Sequence, residues 1–175
     1  MTLAFNILID ALLAAVAAIG FGAVSNPSVR TFPYIAVLAA VGHALRYVLM
    51  EVGGCDIVTS SLAAAVTIGT LALLFGKLAH TPLPCLFIPA LLPMVPGMYA
   101  YKCVFALIMF IQSIDSSIRS EEYLLAFASN FAVTVMVIGV LAGGASLPTF
   151  IFRRLTMTMT RYAKGPEPEC DNTTL

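Results

Sequence analysis

Pro89-Ala-Leu-Leu-Pro93-Met-Val-Pro96-Gly97-Met98-Tyr-Ala-Tyr101-Lys102 sets three prolines and a glycine inside a run otherwise apolar enough for a bilayer. Each proline lacks a backbone N–H and its ring opposes the preceding helical turn, so Pro89, Pro93 and Pro96 cannot all lie in one regular helix. The backbone is expected to break here. In hydrocarbon a break is tolerated only where protein or a water-filled cavity satisfies the freed amides and carbonyls. The stretch therefore reads as a broken membrane span, and as the first place to look for a site.

The rest of the chain agrees with a membrane setting. Hydrophobic residues make up 60% of the 175 and charged residues only 10%, with a mean hydropathy of +0.97, far from the mix of a soluble domain. Formal net charge is zero, so nothing points to nucleic acid or to an acidic partner. Cys55, Cys85, Cys103 and Cys170 show neither paired spacing nor a histidine cluster, so no metal site, disulfide framework or cofactor is expected. The N-terminus lacks a basic segment and a cleavage-site flank, which reads as a retained helix and not a signal peptide.

Outward from the break, apolar runs of about 20 residues give the other spans. Helix one covers Leu3 to Val24, with Asp10 in its first half, and closes at Ser25-Asn26-Pro27-Ser28. Helix two covers Phe32 to Met50, carries His43 and Arg46, and has Ala36, Ala40 and Ala44 on one face for close helix approach. Gly53 and Gly54 turn the chain into helix three, Ile57 to Leu78, small and weakly polar and suited to helix packing. The fourth span begins as Cys85 to Leu92, unwinds from Pro93 to Pro96, and resumes from Gly97 to Gln112. After a hydrophilic Ser113 to Glu122, helix five covers Tyr123 to Phe152, bent or ended near Gly143, Gly144 and Pro148. Gly139 and Gly143 form a lone GxxxG, a weak packing signal. Residues 1–163 thus form a five-span domain, and 164–175 a disordered cytoplasmic tail.

Charge placement gives orientation. Arg30, Lys77 and the group Arg153, Arg154, Arg161 and Lys164 fall in alternate connections, whereas Glu51, Asp56, Asp115, Glu121 and Glu122 fall in the others. Arg119 is the basic exception. By the positive-inside tendency the N-terminus is outside and the C-terminus cytoplasmic. No internal repeat of roughly 20 to 50 residues is visible. Five spans cannot be halved, so the duplication common in secondary transporters must be absent or supplied by another chain.

Several residues have the chemistry for a site. Gly97 and Met98 open a half-helix whose first N–H groups lack helical partners and sit at the positive end of its dipole, which suits a carboxylate at membrane depth. The alternative is a packing kink. Lys102 lies ten residues from the next polar connection, ~15 Å of rise. It reads equally as a cation for a substrate carboxylate or as a structural partner for an acid or a freed carbonyl. Tyr101 can present its hydroxyl to the same space; Tyr99 reads as an interfacial or core aromatic. His43 and Arg46 are one turn apart, candidates for proton coupling or an ion pair. Asp10 reads as an acid for Arg46 or Lys102 or as the edge of helix one, and Asn130 reads as interhelical glue.

Together, the Pro93-to-Tyr101 motif, Gly42-His43 with Arg46, Asn26 with Arg30, and Ser129-Asn130-Phe131 resemble the threonine/serine exporter family, and within it the small subunit of the split form, the YjjB-like proteins. The resemblance covers helices one to five. It implies an inner-membrane exporter of small carboxylates, threonine and serine in full-length relatives and succinate in the split arrangement, working beside a larger membrane subunit. It carries over to Pro93, Pro96, Gly97, Tyr101, His43 and Arg46; Lys102 is not a family position.

The fold expected is thus an all-α integral membrane protein with five spans, the fourth broken. The function expected is a lipid-embedded exporter subunit, homo- and hetero-oligomeric, with a small carboxylate as substrate and a proton as coupling ion. The rival class is a non-transporting scaffold or assembly subunit. An enzyme is disfavoured, because no Ser/His or His/Glu pair has catalytic spacing on one helix.

Overall fold

The computed structural model describes residues 3–25, 28–79, 81–113 and 117–152. Asn26 and Pro27 of the first turn, Asp115, the basic group from Arg153 onward and the tail lie outside these residues.

Six α-helices and two short 3-10 turns make up the described secondary structure: α1 (Leu3–Val24), α2 (Phe32–Glu51), α3 (Ile57–Ala79), α4 (Pro84–Leu91), α5 (Gly97–Gln112) and α6 (Ser117–Ile151). α1, α2, α3 and α6 are each long and apolar enough to cross a membrane, and α4 with α5 passes the same test as one bent pair. The chain is an all-α membrane protein of up to five spans, the fourth broken.

Local chemistry sets the element ends. A 3-10 turn at Val29–Thr31 feeds α2 with Pro33 in its first turn, where the missing amide is not required. Gly54 (φ 61) reverses the chain after α2 in a backbone region that disfavours side chains. At the start of α3, the Thr59 hydroxyl donates to the Asp56 carboxylate at 3.0 Å. That bond holds the exposed Asp56 carboxyl below its usual value. Its contribution is present at neutral pH and lost as pH falls through the lowered value.

Pro89, expected to help break the helix, does not. It is buried inside α4; as the sixth of eight residues it removes only one backbone bond, and its fixed φ suits a helix. The break falls later. Leu92–Met94 tighten into a 3-10 turn, Val95 is extended (φ −59, ψ 129), and Pro96 (φ −79, ψ 67) precedes α5. The two halves meet at 55°.

α6 also corrects the expectation. It has 35 residues, about 52 Å of rise, so Ser117 to Glu122 belong to its first turns and not to a polar connection. Neither Gly143-Gly144 nor the buried Pro148 ends it.

α3 sits centrally and packs on α2, α4 and α6; α1 packs on α2 and α4, and α5 on α6. Its buried face, Ser60, Ser61, Ala64, Ala65, Ile68, Gly69, Ala72, Leu73 and Gly76, is small enough for neighbouring backbones to come close. A Cβ on Gly69 would stand 2.5 Å from the Ala145 carbonyl oxygen, and one on Gly144 3.0 Å from the Ala65 Cβ. The GxxxG pair plays no part in this contact: Gly139 and Gly143 have nothing within 4 Å of a Cβ. On α2 the buried stripe is Ile35, Leu38, Ala39 and Gly42, with Ala36, Ala40 and Ala44 half-buried beside it.

Candidate functional site

The break severs one hydrogen bond in particular. In a continuous helix the Met94 carbonyl would accept from the Met98 N–H four residues on. Instead Gly97 N–H donates to Val95 O at 2.8 Å, and the Tyr99 and Ala100 amides both donate to Pro96 O at 3.1 Å. Both members of the severed pair are thus released within a membrane span, where each needs a partner.

Arg46 supplies one of them. Its Nη1 donates to the Met94 carbonyl oxygen at 3.0 Å. Gly42, one turn earlier on α2, makes the approach possible, because a side chain there would collide with Ile68 and with the Met94 methyl. The Met98 amide is the donor of that turn with no acceptor among the described residues. One charged guanidinium and one open amide therefore flank the break.

A second contact adjoins the first. His43 Nδ1 donates to Asp10 Oδ2 at 3.2 Å, the ion-pair geometry joining α2 to α1. The His43 side chain is 12% exposed and that of Asp10 40%. His43 Nε2 is buried with no hydrogen-bond partner among the described residues, so in the neutral tautomer with Nδ1–H its lone pair faces the protein interior. His43 and Arg46 lie one turn apart on α2, so the His43–Asp10 contact adjoins the Arg46–Met94 bond. Asp10, His43, Arg46 and the break thus form one polar cluster in an apolar bundle.

The other expected site residues lie elsewhere. Pro96 is buried and Pro93 half-buried at the break. Gly97 is exposed, with nothing within 4 Å of a Cβ. Met98 (66%) and Tyr101 (64%) are exposed on α5, Tyr101 stacked on Phe105 with ring centroids 6.3 Å apart. Lys102 is exposed on the same helix. The half-helix start is less open to an anion than expected, since its other early amides are used. Asn130, expected to bond across helices, donates instead to Ala126 O of its own helix at 2.6 Å, an alternative that a short amide side chain always has.

The Met94 carbonyl was missed by the sequence reading. Counting four residues on from Met94 to Met98 across Pro96 was the signal available for the carbonyl. Ser60 and Ser61 lie on the α3 face suited to helix packing, and both hydroxyls are fully buried with no partner among the described residues.

The family described as Threonine/Serine exporter, ThrE, matches residues 10–151, a span that includes every member of the cluster. No solved structure matches the chain.

Proposed function

We propose, since this chain belongs to the threonine/serine exporter family ThrE, that it is a membrane subunit of a secondary transporter exporting small carboxylates, either threonine/serine-type amino acids or a dicarboxylate such as succinate. It works with a larger membrane subunit of the same exporter, in the cell inner membrane, with the N-terminus outside. The alternation of Arg30 and Lys77 with Glu51 and Asp56 supports that orientation.

The observation that carries the reading is the Arg46 bond to the Met94 carbonyl. A guanidinium holding a backbone carbonyl inside a membrane is a cation in reserve. A substrate carboxylate replaces the carbonyl, making charge-assisted bonds stronger than the one it displaces. The open Met98 amide completes the cradle, and Gly97 leaves the backbone accessible beside it. Substrate arrival thereby releases Met94, and the Pro93–Pro96 hinge is free to change angle. Binding is linked to movement through one bond.

Asp10 and His43 carry the coupling proton. Their contact changes charge with one proton, and it lies beside the cation that holds substrate. His43→Gln retains a hydrogen-bonding side chain without that titration. Counterflow, which needs binding and exchange alone, is expected to persist in this variant, whereas accumulation driven by a proton gradient is lost. Loss of both together would remove His43 from coupling.

The direct test is counterflow of labelled threonine, serine and succinate in vesicles holding this chain, the larger subunit, or both. Substrate accumulation is expected only with both. Gly97→Leu is expected to lower counterflow about tenfold (~1.4 kcal/mol) by covering the backbone approach, with normal yield, because nothing packs against that position. Undiminished transport by this variant would leave the scaffold reading standing.

A further inference from the structure

We infer that copies of this chain associate in the membrane through an ion pair between Lys102 of one copy and Asp10 of another. Lys102 stands on the open face of α5, beside exposed Met98, Tyr101 and Phe105. It makes no ion pair, and no hydrogen bond from its amine, among the described residues. Ten residues, ~15 Å of rise, separate it from the end of α5 at Gln112, too far for a lysine stem to carry its charge to the interface. An ammonium at that depth does not face lipid without large cost. This face is covered by protein that presents a carboxylate.

The chain itself carries a matching acid. Among the described residues Asp10 is the carboxylate set well within a span; Glu51 ends α2, while Glu121 and Glu122 lie in the first turns of α6. Asp10 is seven residues from the start of α1, ~10 Å of rise. With α1, α2, α3 and the bent pair each crossing once, the start of α1 and the end of α5 fall on the same side, so Asp10 and Lys102 lie within a few ångströms of one depth. One Asp10 oxygen meets His43, and its side chain is 40% exposed, which leaves the second oxygen for an outside donor. A closed assembly of one chain satisfies the lysine of every copy. The inference rests on the membrane fold and not on the transport reading.

The test uses two differently tagged copies, one Lys102→Cys and the other Asp10→Cys, with Cys55, Cys85, Cys103 and Cys170 replaced by serine. They are co-expressed without the larger subunit. Membranes are treated with a short bifunctional thiol reagent, because an ion pair holds backbones farther apart than a disulfide does. A crosslinked dimer carrying both tags is expected, about tenfold above pairs with the cysteine on one copy alone. Absence of that product overturns the inference. Co-purification of two tagged copies with otherwise native sequence is the second readout, which requires no cysteine variant. Lys102→Met in both copies is expected to lower it about tenfold; undiminished co-purification, or recovery only when the larger subunit is present, overturns the inference as well.

Discussion

Arg46→Met is expected to reduce counterflow about 100-fold, equivalent to ~3 kcal/mol of lost substrate stabilisation. The arginine meets the Met94 carbonyl through a single nitrogen, which leaves the other guanidinium donors for a carboxylate. Removing it takes away the cation at the break and also strands the Met94 carbonyl, a cost of about 1 to 3 kcal/mol when a polar group is buried without a partner. The two effects separate by measurement. The first appears in transport per folded molecule, the second in thermal stability in detergent. Arg46→Lys keeps a charge and a donor but loses the planar fork. It should restore stability nearly in full and transport only in part, with the apparent substrate affinity weakened more than the maximal rate. A lysine variant with the affinity of the unsubstituted chain would show that the guanidinium only pins the break.

The same residue shows what the sequence can and cannot disclose. Arg46, His43 and Asp10 were legible because ionisable side chains within apolar runs are costly and must have a reason. Their common meeting point was not, because Arg46 bonds a backbone carbonyl, and a carbonyl has no letter. The helix limits Leu3–Val24 and Gly97–Gln112 were legible from runs closed by polar residues or proline. Pro89 was misread because proline chemistry was taken without position: inside a helix of eight residues it costs one bond, whereas Pro96 follows an extended Val95 and ends the ladder. α6 ran longer than expected because Ser117 to Glu122 is polar but contains neither glycine nor proline to stop a helix.

Site and open face also divide along α5. The amides of its first turn lie at the break, while Met98, Tyr101 and Lys102 are exposed. A helix three to four residues around carries both roles at once, so a movement of α5 at the Pro93–Pro96 hinge that follows release of Met94 also moves the face bearing Lys102. On the two proposals made above, substrate binding and association between copies would be linked through one element, and reciprocally so if each changes the hinge angle.

Gly69→Leu is expected to give the largest loss of folded protein. At this position α3 meets α6 backbone to backbone, with the Ala145 carbonyl oxygen 2.5 Å from where a Cβ would lie. Backbone cannot rotate aside as a side-chain end does, so the helices must separate, and the contacts of Ala65, Ile68, Val137, Leu141 and Ala145 loosen together. Overpacking of this kind costs about 3 kcal/mol, and in a membrane there is little hydrophobic drive between helices to offset lost van der Waals contact. α5 packs on α6, so that pair is carried away from the rest of the bundle. The measurement is the yield of monodisperse protein in mild detergent and its thermal midpoint. Gly143→Leu is the control: it lies on the same stretch of α6 but has nothing within 4 Å of a Cβ, and its yield should match the unsubstituted chain. Equal loss in both variants would mean that the helix tolerates no bulk anywhere on this stretch, and the close α3–α6 crossing would not be the cause.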